Sequence, residues 1–174
     1  MYASDSQNSR TKYAWGNELA WLRNTARDLQ YAVMIGAGPA VMGMALMEGN
    51  PHLNLVIIDK ETIHYARSHL DAAGFPHVGY VVDDSAEYGK DYAGPKLDFL
   101  LVDGDHSKAG VMRDVKSWFR HIRPGGILFF HAYENVNDDL NNGVKEALTE
   151  LLNSGILKVE ELSRPGISIV YGKL

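Results

Sequence analysis

Cysteine is absent from the 174-residue chain. Disulfides, thiolate nucleophiles and cysteine-ligated zinc or iron–sulfur centres are thereby excluded. Positive charge is also in short supply: 17 Lys and Arg stand against 22 Asp and Glu, a net charge of −5. Binding that depends on neutralising many phosphates needs a basic face, so no general nucleic-acid partner is expected. Nor does any run approach the roughly 18 apolar residues of a membrane span, and the polar opening MYASDSQNSRTKYAWG has no signal-peptide core. A soluble, cytoplasmic protein with no membrane partner is the expectation.

What is present is the composition of an ordinary globular domain, with 45% hydrophobic and 22% charged residues. One domain is expected over 1–174, comprising an N-terminal arm and helix (1–30) and a core (31–174). Repeats, linkers and low-complexity segments are not found. Leu19, Leu22, Ala26 and Leu29 recur at helical spacing behind Asn17, a suitable cap. Short apolar runs then alternate with helical patterns. YAVMI (31–35), LNLVIID (53–59), VGYVVD (78–83), LDFLLVD (97–103) and GILFFH (126–131) read as buried strands. Helices are marked by Ala40, Met44 and Met47, by Ile63, Ala66, Leu70 and Ala73, by Val111, Val115, Trp118, Phe119 and Ile122, and by Leu140, Val144, Ala147, Leu148 and Leu151. Such alternation predicts a parallel sheet with helices on both faces. ILKVEEL and ISIVYGKL flank the turn signal SRPG with no room for a crossover helix, so these two strands are expected to pair antiparallel.

In an open α/β sheet, ligands bind beyond the carboxyl ends of the strands. That edge carries GAGPA, Asp59, DDS (83–85), DGDH (103–106) and HAYEN (131–135). Gly36 and Gly38 permit a sharp turn and close backbone approach to a ligand, or simply a tight turn. Asp59 lies 21 residues beyond Gly38, where a carboxylate can accept from both ribose hydroxyls. Its plain alternative is a cap or turn residue. A dinucleotide fingerprint G-x-G-x-x-G would place glycine where Val41 stands, which points to an adenosyl cofactor without a pyrophosphate.

These residues resemble the class I S-adenosylmethionine-dependent methyltransferases. The likeness runs in order through MIGAGPA, VIIDK, VVDDSAEY, FLLVDGDH and RPGGILFFH to the closing hairpin. Within that class, the stretch from Leu101 to Tyr133 is similar to a subgroup of small-molecule O-methyltransferases with an Asp-Gly-x-His pattern after strand four, many of them magnesium-dependent. The resemblance implies a Rossmann-like three-layer α/β/α sandwich whose seven-stranded sheet is parallel except for an antiparallel last strand. It implies S-adenosylmethionine (SAM) as cofactor, with Gly36 and Gly38 beside its methionine part, Asp59 on the ribose, and Asp84 and Ser85 flanking the adenine. Asp103 takes the place of the family's metal-binding acid and His106 that of a general base. Ala40 stands where the family's third loop glycine falls, and Met34 where an acid often precedes the first. His131 and Ala132 replace the acidic pair that helps hold the metal. The departure weakens a magnesium site, because that ion prefers hard oxygen ligands.

Methyl transfer to an alcohol needs alignment, a deprotonated oxygen and little competing water, and alignment alone can supply about 7–11 kcal/mol. His106 suits the base, with Asp103 or Asp105 orienting it or binding a cation. In the plain alternative, Asp105 and His106 cap the next helix. His131 reads either as a softer ligand sharing a divalent metal with Asp103 or as a hydrogen-bonded structural residue. Tyr133, Glu134 and Asn135 could contact an acceptor, and Trp15 and Trp21 could form a lid or a dimer contact or pack on the sheet. A small-molecule acceptor and a homodimer fit this reading. The rival functions are a methyltransferase-like domain that binds without catalysis and a nicotinamide- or flavin-linked oxidoreductase.

Overall fold

The computed structural model describes residues 18–61, 63–131, 142–155, 157–158 and 169–173. Helix α1 covers residues 18–26. It is followed by β1 (Tyr31–Ile35), α2 (Val41–Gly49), β2 (Asn54–Asp59), α3 (His64–Ala72), β3 (Gly79–Val82), α4 (Ser85–Asp91) and β4 (Leu97–Val102). The chain continues through α5 (Lys108–Trp118), a 3-10 turn (Phe119–His121), β5 (Ile122–Phe130), α6 (Asn142–Asn153), β6 (Leu157–Lys158) and β7 (Ile169–Lys173).

The sheet order is β3-β2-β1-β4-β5-β7-β6. Alternation along the central strands sends side chains to two apolar cores. Ala32 and Met34 of β1 join a cluster with Leu22 and Ala26 of α1, Leu46 of α2 and Leu70 of α3. Val33 and Ile35 join another with Val111, Val115 and Trp118 of α5 and Val144 and Leu148 of α6. A strand buried on both faces must be apolar throughout, which is why β1 and β4 are continuous hydrophobic runs. Trp21 stacks on Phe129 at 5.5 Å between ring centroids, so it packs against the sheet, one of the roles the sequence allowed. Trp15 and Asn17 lie outside the described residues. Among the described residues no helix is long and apolar enough to cross a membrane.

The Rossmann-like α/β architecture with a mostly parallel sheet matches the sequence reading. Parallel pairing is confined to the five strands β1 to β5. The seven-stranded sheet was expected to be parallel through all but its last strand. Strand β7 enters between β5 and β6 and pairs antiparallel with both. The SRPG turn expected between them lies outside the described residues. Two boundaries also move. Strand β5 begins at Ile122, whose partner is Leu97, and the register shift between Leu97 and Phe99 absorbs the Pro-Gly-Gly segment. Helix α5 accordingly stops at Trp118, and Phe119–His121 tightens into the 3-10 turn. Helix α4 was not anticipated. Its seven residues are too few for a periodic signal, yet Asp84 caps it by accepting from the Ala86 and Glu87 amides.

At the sheet edge remote from these loops, Asp98 closes the start of β1 onto β4. Its Oδ2 accepts from the Gln30 and Tyr31 amides at 2.7 and 2.8 Å, and Arg123 Nε donates to Oδ1 at 2.6 Å. Burial alone would raise the carboxyl's pKa, but the Arg123 bond and the two amides outweigh it and lower it. The stability it contributes is therefore present above the ordinary carboxylate range and lost as pH falls through the depressed value. Asp98→Asn is expected to cost about 2–3 kcal/mol in urea unfolding at pH 7. The gap from the native chain should narrow below about pH 4, where the native carboxylate too becomes protonated.

Candidate active site

Each parallel strand hands its ladder one residue further, so the loops leave the sheet at one level. Gly36 N donates to Ile58 O at 2.8 Å, Asp103 N to Ile35 O at 2.9 Å, Asp83 N to Asp59 O at 3.0 Å and His131 N to Val102 O at 3.2 Å. The glycine loop and the segment after β4 touch directly. Gly36 has φ +89°, and a Cβ there would fall inside the Asp103 carbonyl. Only glycine satisfies both demands. Gly38, at φ +42°, faces the opposite situation, since a Cβ there would meet nothing within 4 Å. Open space lies over it. Ala40 caps α2 at φ 57° and ψ 19°, a left-handed conformation that costs a non-glycine residue about 1–2 kcal/mol.

Asp59 is half-buried at the end of β2. Its Oδ2 accepts from Ala37 N at 2.8 Å and its Oδ1 from Glu61 N at 2.9 Å, so it ties the glycine loop to its own turn. Each carboxylate oxygen has a second lone pair beyond those bonds.

After β4, Asp103 and His106 come together, with His106 Nε2 3.2 Å from Asp103 Oδ1. Both side chains are partly exposed, 30% for His106 and 18% for Asp103, so both are open to a ligand. Asp105 does not join them. Its Oδ1 accepts from Ser107 N at 2.9 Å, and its carboxyl packs where a Cβ on Gly110 would stand. The Ser107 amide, with smaller help from Lys60 and Arg113, lowers the Asp105 pKa against the effect of burial. The helix cap is neither Asp105 nor His106 but Ser107, whose Oγ accepts from Gly110 N at 3.0 Å. Helix α6 braces the loop from outside: Gly143 approaches the backbone of His106 and Lys108 so closely that no Cβ fits.

Asp84 and Ser85, expected to flank a ligand, turn their side chains away to α5. Arg113 pairs with Asp84 Oδ2 at 2.9 Å, and Ser85 donates to Asp114 Oδ1 at 2.5 Å. Burial opposes it, but the Glu87 amide, then Arg113 and the Ala86 amide, bring the Asp84 pKa below its ordinary value. The side chains left facing outward at this strand end are Asp83, which is exposed, and Val82, 61% exposed. Neither was singled out from the sequence, although DDS offered two acids for one role.

His131 is buried at the end of β5, and its Nδ1 lies 3.0 Å from Oε1 of Glu18 on α1. Burial alone would lower its pKa, but the Glu18 bond and the charges of Asp103 and Glu18 raise it. Among the described residues no three His, Cys, Asp or Glu side chains converge to hold a metal. With Asp103 bonded to His106 and His131 to Glu18, this donor set does not fit the hard-oxygen shell of magnesium. No chemical step is therefore derived through a metal. Ala132, Tyr133, Glu134 and Asn135 lie outside the described residues.

Residues 33–133 match the model of the methyltransferase-domain family, and the chain belongs to that family. Its fold is similar to that of several solved enzymes. The SAH-bound methyltransferase PaMTH1 of Podospora anserina superposes with a TM-score of 0.75 at 15% identity, covering 98% of this chain and 88% of that one. An O-methyltransferase from Bacillus cereus in complex with SAH gives 0.71 at 14%, covering 95% and 91%. TomG of Streptomyces achromogenes, an O-methyltransferase involved in tomaymycin synthesis solved with SAM, gives 0.68 at 14%, covering 99% and 92%. No curated protein matches the sequence.

The Glu18–His131 pair yields a stability test. A histidine whose folded pKa is raised contributes stability that is fully present below about pH 6.5 and is lost as pH rises through the folded value. Glu18→Gln is expected to cost about 1–3 kcal/mol near pH 6, with a smaller deficit at pH 8.5, measured by urea unfolding at both pH values.

Proposed function

We propose that the protein is a SAM-dependent O-methyltransferase acting on a hydroxyl of a small molecule. The observation that carries the reading is the Asp103–His106 pair set against the glycine loop, where Gly36 meets Asp103 backbone to backbone. The residues present fit the cofactor. Open space stands over Gly38, Asp59 retains lone pairs for ribose hydroxyls, and Val82 and Asp83 offer an apolar face and a carboxylate for an adenine. When bound, SAM supplies an electrophilic methyl on a sulfonium.

The chain's own residues then have distinct tasks. Asp103 accepts from His106 Nε2–H, which leaves Nδ1 as the nitrogen with the lone pair. His106 would take up the acceptor hydroxyl's proton at Nδ1 as that oxygen receives the methyl. Gly36 and Asp59 fix the glycine loop, so the loop that would hold the cofactor and the imidazole share one edge of the sheet. Asp105 serves this arrangement by shaping the turn that presents His106, and we place it there rather than at the proton. Val41 supports the same reading, since no pyrophosphate needs the close helix approach a third glycine gives.

Calorimetric titration with SAM and SAH, against NADH as control, tests the cofactor. One-site binding of SAM and none of NADH is expected. No binding of SAM would sink the reading, and binding of NADH alone would favour an oxidoreductase. Once an acceptor is found by screening hydroxyl compounds, His106→Gln is expected to lower kcat by about 10²–10⁴-fold while SAH affinity stays within about threefold.

A further inference from the structure

Helix α5 begins just after the Asp103–His106 segment, and three of its side chains grip Asp84 and Ser85 at the start of α4. Arg113 pairs with Asp84 at 2.9 Å, Asp114 accepts from the Ser85 hydroxyl at 2.5 Å, and Trp118 Nε1 donates to the Ser85 carbonyl at 2.9 Å. Asp114 is the central contact and the anomalous one. It is 2% exposed on a helix face otherwise lined by Val111, Val115 and Trp118. A carboxylate in such surroundings is costly, and an apolar residue there would extend the core. Its other oxygen points toward Gly104, where a Cβ would stand 3.8 Å from Oδ2. One side chain therefore lies beneath both loops that the proposed function uses.

We infer that Asp114 is a positioning residue for cofactor binding: through Ser85 its carboxylate fixes the Asp83–Ser85 segment against the adenine end of the cofactor. This rests on the reading of the site as a SAM site. The carboxylate makes a short bond to a hydroxyl that opens α4, and α4 carries the Asp84 cap and the Arg113 pair with it. Neutralising Asp114 weakens that bond and loosens Asp83, one of the groups left facing the ligand. The charged groups around it are Arg113 on its own helix, Asp84 at the start of α4 and Asp105 after β4. Burial first, and then repulsion from Asp84 and Asp105, prevail over the Ser85 bond and the Arg113 charge and lift its pKa to about 6. Cofactor affinity is thereby coupled to pH through a residue that does not touch the cofactor.

The test measures the SAH dissociation constant by calorimetry from pH 5.5 to 8 for the native chain, Asp114→Asn and Ser85→Ala. At pH 7.5 each variant is expected to bind about 5- to 10-fold more weakly, the loss of one charge-assisted hydrogen bond's worth of order. Native affinity should fall as pH drops through about 6, and Asp114→Asn should lack that component of the fall. Variants that bind as the native chain does, with the same pH profile, would reduce Asp114 to a core residue and overturn the inference. Should Asp114→Asn fail to fold, Ser85→Ala decides by affinity alone, since it leaves the carboxylate in place. A native chain that binds no SAH at any pH would overturn the SAM reading and this inference together, an outcome distinct from a defect confined to the variants.

Discussion

At the carboxyl ends of β1 and β4 the backbone of Gly36 lies against the carbonyl of Asp103, too near for any side chain to intervene. The rest of the site is arranged around that approach. Parallel pairing of β1 with β4 delivers the two loops to the same level, and the Asp103 amide extends the ladder by one bond to Ile35. A left-handed glycine then lets one loop fold over the other. Asp59 holds the glycine loop from the β2 side, and Gly143 of α6 holds the His106 loop from outside. The constraint is steric before it is electrostatic, because the glycine loop and the Asp103–His106 segment could not meet across an intervening methyl.

Acidic residues at the two ends of β4 divide the work of the strand. Asp98 closes one end with two backbone amides and Arg123, all structural bonds. Asp103 at the other end stays partly exposed beside an imidazole. Helix α5 extends the second arrangement sideways, with its first turn shaped by Asp105 and Ser107 and its later turns engaged with Asp84 and Ser85. A single helix thus connects the Asp103–His106 segment to the Asp83–Ser85 segment.

The sequence made β1 to β4 legible because each is a short apolar run closed by glycine or aspartate, and burial within the sheet permits little else. The edge that bears the site followed from topology alone. Side-chain directions at that edge were not legible. Asp84, Ser85 and Asp105 turn toward α5, and His131 turns toward Glu18, 113 residues away in sequence. Such partners depend on how helices pack over the sheet, which no local period encodes. Helix α4 escaped notice because a seven-residue helix makes barely two turns.

Ala40 carries a last consequence. It holds a left-handed backbone with its methyl fully buried, so surrounding packing imposes the conformation without help from a ligand. A loop already forced into shape has little freedom left to surrender when a ligand arrives. Ordering entropy is then a minor part of the free energy of association, and recognition at this loop is nearer to the meeting of two rigid surfaces than to folding around a guest.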